Sequence, residues 1–335
     1  YTQMLTSMMR LCPMLFFLYL INLSGQQTIG SIELLSPKMS ALVDVDAGIE
    51  VLATGFQWAE GPVWVPELNG ILFTDVPNNR AYLWTEKDGL QLFLNPSGMT
   101  NHAPHSTNEG ANGLTLDSAG NLILCQHGNR AVSKLKSWSF DSPDYEVLVD
   151  HYQGKWLNSP NDLDYNKDGV LFFTDPPYGL KDQDQDSIKE LNFNGIYKWS
   201  LVNGIELLDK SLLRPNGIAL SEDEKVVYVG NSDSRNSIIV AYDLVDNSLK
   251  NKRVFFDGNE MMKKRNGLFD GLKVHSSGVV FATGPGGVLV IDKNGFHLGT
   301  IMPGKKTANC GFDLKEKYLY LTSTDVLARV KLAKP

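Results

Sequence analysis

The chain has 335 residues, of which 42% are hydrophobic, 21% charged and 10% aromatic, with a mean hydropathy of -0.18. A disordered chain would carry fewer apolar residues and a multi-span membrane protein many more, and the 30 Gly and 15 Pro are too scattered for collagen-like or low-complexity sequence. With 31 basic and 38 acidic residues the net charge is -7, which speaks against a nucleic-acid partner because phosphate binding needs a basic surface.

The first element is LCPMLFFLYLINL, from Leu11 to Leu23, preceded by Arg10. It is shorter than the roughly 20 residues of a spanning helix, so it reads as the core of a signal peptide over residues 1–27. A buried N-terminal helix or an uncleaved anchor is the alternative. The signal reading predicts a periplasmic or secreted protein, free of the membrane once the signal is removed. Residues 28–50 follow as an N-terminal extension, and 51–335 as one domain. Cys12 falls in the apolar segment, which leaves Cys125 and Cys310. Two distant cysteines make no disulfide framework, and without a C-x-x-C pair structural zinc is not indicated.

From Glu60 onward one grammar recurs six times. It appears in EGPVWVPELNGILFTD, NGLTLDSAGNLILCQHG, NDLDYNKDGVLFFTD, NGIALSEDEKVVYVGNS, DGLKVHSSGVVFATG and CGFDLKEKYLYLTS. Each copy is an alternating run, a polar turn and a second β-branched or aromatic run, which is a hairpin signature. The copies start at Glu60, Asn112, Asn161, Asn216, Asp270 and Cys310, in steps of 52, 49, 55, 54 and 40. Further strand pairs lie between them, such as RAYLWT with LQLFL and SIIVAYDL with KRVFF. A period of about fifty with four strands per copy is that of propeller blades. The predicted fold is therefore all-β: a six-bladed β-propeller, closed by pairing residues around Val51 with a last blade holding Tyr318–Thr322 and Leu327–Leu332. Two α/β domains are the rival, but no Gly-rich phosphate loop or strand–helix alternation supports them.

Residues in one phase of a propeller converge on its axis. Five of the six starting residues are oxygen donors, and Glu60 and Asp270 are carboxylates, which suits a hard divalent cation in a central metal site, calcium before magnesium. The alternative is that each Asn-Gly or Asp-Gly merely shapes a turn. A second layer, 14 or 15 residues on, holds Asp75, His127, Asp175 and Asn231–Ser232. Among the histidines, His127 has the best claim to function; His102 and His105 sit in a loop that could form part of a lid. Arg130 and Tyr178 are candidate substrate contacts, with loop anchoring an equal reading of Arg130.

The segments FQWAEGPVW, NGLTLDSAGNLILCQHGNR, LNSPNDL, LFFTDPPYG, RPNGIALS and FDGLKV resemble the gluconolactonase/regucalcin-like family of six-bladed propellers, especially its bacterial gluconolactonase-type branch. The resemblance runs from Val51 to Leu332. It implies a metal held by Glu60, Asn216 and Asp270. Asn161 would lie beside the metal or substrate, or act as a ligand as in diisopropylfluorophosphatase-like relatives. Asn112 would be a substrate or outer-shell contact, and Cys310, which departs from the oxygen pattern, a packing residue near the channel. Calcium is common in the family, though some members accept zinc, manganese or magnesium.

The implied activity is hydrolysis of a small-molecule lactone. The cation would polarise the carbonyl and activate a water, and Asp270 would take the proton, with His127 or Asp175 as alternative acceptors. A phosphotriesterase or arylesterase on the same scaffold, or a non-catalytic propeller with structural calcium, are the other readings. The oligomeric state is left open.

Overall fold

The computed structural model describes residues 27–137 and 142–333. Nearly all of the signal-peptide reading, residues 1–26, lies outside them. The described chain forms six antiparallel sheets of four or five strands, each a propeller blade, and a two-stranded hairpin of His151–Tyr152 with Lys155–Trp156. Blade 1 runs Ala59–Val65, Gly70–Asp75, Arg80–Thr85 and Gly89–Leu94, and blade 2 runs Ala111–Leu116, Leu122–Gln126, Ala131–Leu135 and Tyr145–Val149. Blades 3 and 4 open with Leu163–Tyr165 and Pro215–Leu220, and blades 5 and 6 with Leu272–Val274 and Asn309–Phe312.

Each blade is buried on both faces, so its second strand is apolar at successive positions, and its alternation sorts residues between two neighbours. In LILCQ of blade 2, Leu122 and Leu124 pack towards blade 1 while Ile123 and Cys125 pack towards blade 3. The core accordingly divides into six apolar clusters, one per blade interface. Leu124→Ala empties a fully buried site and is expected to destabilise the fold by about 2–5 kcal/mol in chemical denaturation.

The ring closes where the sequence placed it, with small changes of boundary. Ile49–Thr54 pairs antiparallel with Val326–Lys331, in register at Glu50 and Arg329, and Tyr318–Ser323 lies next in the same sheet. The buried Arg329 guanidinium holds Glu50 (2.6 Å) and Glu86 and lies 4.2 Å over the Tyr318 ring, tying blade 6 to blade 1. Residues 28–50 are woven into the ring as well. Ser31–Leu34 adds an outer strand to blade 5, Thr28–Ile29 pairs with Ile49 and Glu50, and the Met39 side chain between them is fully buried.

The sixth repeat needs correction. Asn161 and Asp270 each donate a backbone N–H to a threonine of their own blade, Thr174 and Thr283, and Ala308 does the same to Thr322. Gly217 donates to the Asp270 carbonyl, and Gly271 likewise to that of Ala308. The channel position of blade 6 is thus Ala308, two residues before Cys310. Cys310 is fully buried in the apolar layer between blades 5 and 6. Its apolar neighbours in the sequence disguised the phase.

Candidate active site

The inner strands of blades 1, 2 and 4 break their ladders just at the channel residues: the register slips after Glu60, after Ala111 and after Pro215. Such bulges re-aim a side chain. Here they accompany Glu60, Asn112 and Asn216. The glycine that follows each of these three residues is not a turn residue. A Cβ on Gly61 would lie 2.1 Å from the Asn112 carbonyl oxygen, and one on Gly217 would lie 2.2 Å from that of Asp270. Glycine is required because neighbouring blades touch backbone to backbone around the axis.

Glu60, Asn112, Asn161, Asn216 and Asp270 all line one cavity of about 540 Å³ at the mouth of the channel. Their amides form a directed chain. Asn112 Nδ2 donates to Asn161 Oδ1 (3.1 Å), Asn161 Nδ2 to Asn216 Oδ1 (2.6 Å), and Asn216 Nδ2 to Ser232 Oγ (3.1 Å). The Ser232 hydroxyl donates on to the Phe269 carbonyl. Asn112 Oδ1, at the head of the chain, is buried without a partner. Such an atom wants a ligand, because an unpaired buried acceptor costs about 1–3 kcal/mol.

Burial pushes the Glu60 carboxyl up to about 7, against the hydrogen bond it accepts from the Gly61 N–H, and Asp162 adds repulsion. Asp270 is also raised well above the usual carboxylate range, by burial first and then by the charges of Glu60 and Asp162. Metal-free folded protein therefore holds a proton on Glu60 that the unfolded chain releases near 4.5. That contribution to stability is present at low pH and is lost as pH rises from about 4.5 through about 7. Thermal melts of chelator-treated protein are expected to show a fall in Tm between pH 5 and 8, and Glu60→Gln to lessen it, with the buried Asp175 and Asp270 contributing the remainder.

Tyr178 joins the cavity wall together with Ser232 and Asn216. Of the predicted second layer Ser232 borders the cavity, whereas Asp75, Asp175 and His127 do not. Asp175 is fully buried and accepts from the backbone N–H groups of Asn158 and Ser159 (2.8 Å each), and Asp75 does the same for Gln57 and Trp58. Each carboxylate clamps the segment leading into a channel residue, Asn161 or Glu60. Burial pushes Asp175 up to about 7 despite these bonds. Arg130 donates to the Leu157 and Ile188 carbonyls, which resolves its two readings in favour of loop anchoring. His127 is 2% exposed, does not line the cavity, and faces Glu109 through Nδ1 (2.9 Å). His102 pairs with Asp150 (2.8 Å) and His105 contacts the Ala103 carbonyl, and neither borders the cavity.

The sequence reading missed the wall made by Met262, Arg265 to Leu268, Lys306 and Thr307, and it missed Trp58. These residues precede the repeats, where no common phase marks them. Among the described residues no three His, Cys, Asp or Glu side chains are grouped as a metal site. What the axis offers is two carboxylates with amide oxygens.

A family model described as "SMP-30/Gluconolactonase/LRE-like region" matches residues 58–325. The chain belongs to this family. It is 38% identical over 317 residues to a gluconolactonase of Zymomonas mobilis, covering 92% of this chain and 88% of that one. A solved gluconolactonase from Xanthomonas campestris superposes with a TM-score of 0.80 at 27% identity, covering 92% of this chain and 96% of that chain. A calcium-binding regucalcin from Agrobacterium tumefaciens superposes at 0.65 with 15% identity, covering 85% and 94%, a likeness that concerns the fold. Membership in the SMP-30/gluconolactonase family makes the cavity at the propeller axis the place to look for hydrolytic chemistry, in keeping with the residues converging there.

Proposed function

We propose that the protein is a lactone hydrolase of the gluconolactonase type that opens sugar lactones with a divalent cation at the propeller axis. The observation that carries this reading is the convergence of Glu60 and Asp270, both with raised pKa, with three asparagines on one cavity. Two buried carboxylates repel one another unless a cation or protons separate them. The donor set is oxygen alone, which fits calcium first, with magnesium or manganese next and zinc least. Glu60, Asn161, Asn216 and Asp270 would hold the ion. The unpartnered Asn112 Oδ1 is left for a substrate hydroxyl. A bound divalent cation supplies Lewis-acid polarisation of the lactone carbonyl and stabilises the charge that develops on its oxygen.

The protein's own groups do the rest. Asp270 borders the cavity and receives the proton of the attacking water. Asp175 is already committed to two N–H donors and His127 is turned to Glu109, so neither competes for that role. The amide chain from Asn112 to Ser232 fixes which oxygen and which N–H each asparagine presents, so the site is organised before substrate arrives. Tyr178, Ser232 and Asn266 give the wall polar contacts suited to a polyhydroxylated ring, while the Trp58 face offers a surface for its apolar side.

Calcium-loaded protein is expected to accelerate the opening of D-glucono-1,5-lactone, or of another aldonolactone in a panel, above the spontaneous rate measured by proton release. No acceleration across the panel overturns the proposal. Preferential turnover of aryl esters or phosphotriesters would move the chemistry to those substrates, and calcium binding without turnover would leave a binding module. Export belongs to the same proposal, from the Leu11–Leu23 stretch. Full-length protein retained in the cytoplasm would contradict it.

A further inference from the structure

The position after each channel residue is glycine in blades 1, 2, 4 and 5, but Asp162 in blade 3 and Asn309 in blade 6, the blade opposite. Their side chains meet across the axis beneath the cavity, where Asn309 Nδ2 donates to Asp162 Oδ2 (3.4 Å). The glycines make room for this bar. A Cβ on Gly271 would lie 2.0 Å from Asn309 Cγ, and one on Gly113 would lie 2.9 Å from Asp162 Oδ1. On the other side, Lys273 Nζ approaches the same Asp162 oxygen at 3.8 Å and donates to the Leu272 carbonyl. Asp162 is 1% exposed, so little water screens it from the carboxylates above, while the Lys273 side chain is 25% exposed.

We propose that Lys273 is a built-in counter-cation of the axis, which by pairing Asp162 keeps that carboxylate out of the ligand set and sets how tightly the ring above holds a divalent ion. The inference rests on the metal reading given under Proposed function. Its physical basis is Coulombic. Asp162 attracts the ion and Lys273 repels it, so the lysine offsets part of the pull that the carboxylate exerts on the ring. Lys273 touches neither substrate nor the reacting atoms and acts only through charge, as a positioning residue does.

The test is Ca2+ affinity of the full chain, measured by competition with a fluorescent chelator, with folding followed by circular dichroism. Asp162→Asn removes the carboxylate paired with the lysine at the axis and leaves it with Asp164, and is expected to weaken Ca2+ binding by roughly tenfold or more. Adding Lys273→Met to that variant is expected to recover the affinity by about threefold or more over Asp162→Asn alone, a rescue that lost packing would not produce. Lys273→Gln alone is the second reporter and is expected to bind Ca2+ roughly threefold or more tighter than wild type. A folded Asp162→Asn protein with unchanged affinity, a double variant as weak as Asp162→Asn, or a Lys273→Gln variant no tighter than wild type overturns the inference while leaving the metal reading intact. Wild-type protein that takes up no divalent ion overturns the metal reading and this inference with it.

Discussion

Asp270→Asn is expected to lower kcat for lactone opening by roughly 10²–10⁴-fold, the usual range for loss of a positioned proton acceptor. The substitution keeps the shape of the side chain and the backbone bonds around it, in which the Asp270 N–H donates to the Thr283 carbonyl and the Asp270 carbonyl accepts from Gly217. It removes the only carboxylate besides Glu60 that borders the cavity. Fold and melting behaviour should therefore survive. Because the same carboxylate is assigned to the cation, Ca2+ affinity should fall as well, so rates are compared at saturating Ca2+. Persistent loss of kcat there assigns Asp270 to the chemical step, whereas full recovery at high Ca2+ restricts it to holding the ion.

Gly61→Val is expected to have the largest effect on stability of any single substitution at the axis. Gly61 has φ +48, a left-handed conformation that a β-branched residue adopts only under strain. A Cβ there would also sit 2.1 Å from the Asn112 carbonyl oxygen, which is main chain and has no rotamer to swing away. That carbonyl is held in place by the Thr74 hydroxyl at 3.0 Å. Strain and overpacking add, so the loss should reach about 3 kcal/mol or more, a large share of the roughly 5–15 kcal/mol that holds a domain folded. Chemical denaturation measures it. Because Gly61 lies between Glu60 and blade 2, folded Gly61→Val protein should also bind Ca2+ more weakly.

The repeat made the fold legible. Alternating apolar runs in blades such as ILFTD and LILCQ report strands buried on two faces, and the period of those runs fixes the number of blades. Five ring residues were readable because propeller geometry sends one phase of every repeat to the axis, and all five border the cavity. Phase alone did not carry further. Asp75 and Asp175 share it, yet at that height along the strand the side chain meets the incoming loop and is consumed by its N–H groups. Cys310 shows the opposite failure. An apolar strand gives no cue to a shift of two residues, because such a shift preserves the alternation that defines the strand. The bar of Asp162 and Asn309 had a signal in the sequence, the two departures from glycine after the channel residue, but the misphased sixth repeat hid one of them. The cavity wall from Met262 to Leu268 lies outside the repeat, and only tertiary packing brings it to the axis.

The most direct test of the account is a Ca2+ titration of chelator-stripped protein during D-glucono-1,5-lactone opening at constant pH. The account predicts a rate indistinguishable from spontaneous opening in the stripped protein, rising to a plateau as one ion per chain is bound. Stripped protein that opens the lactone at the full rate would contradict it.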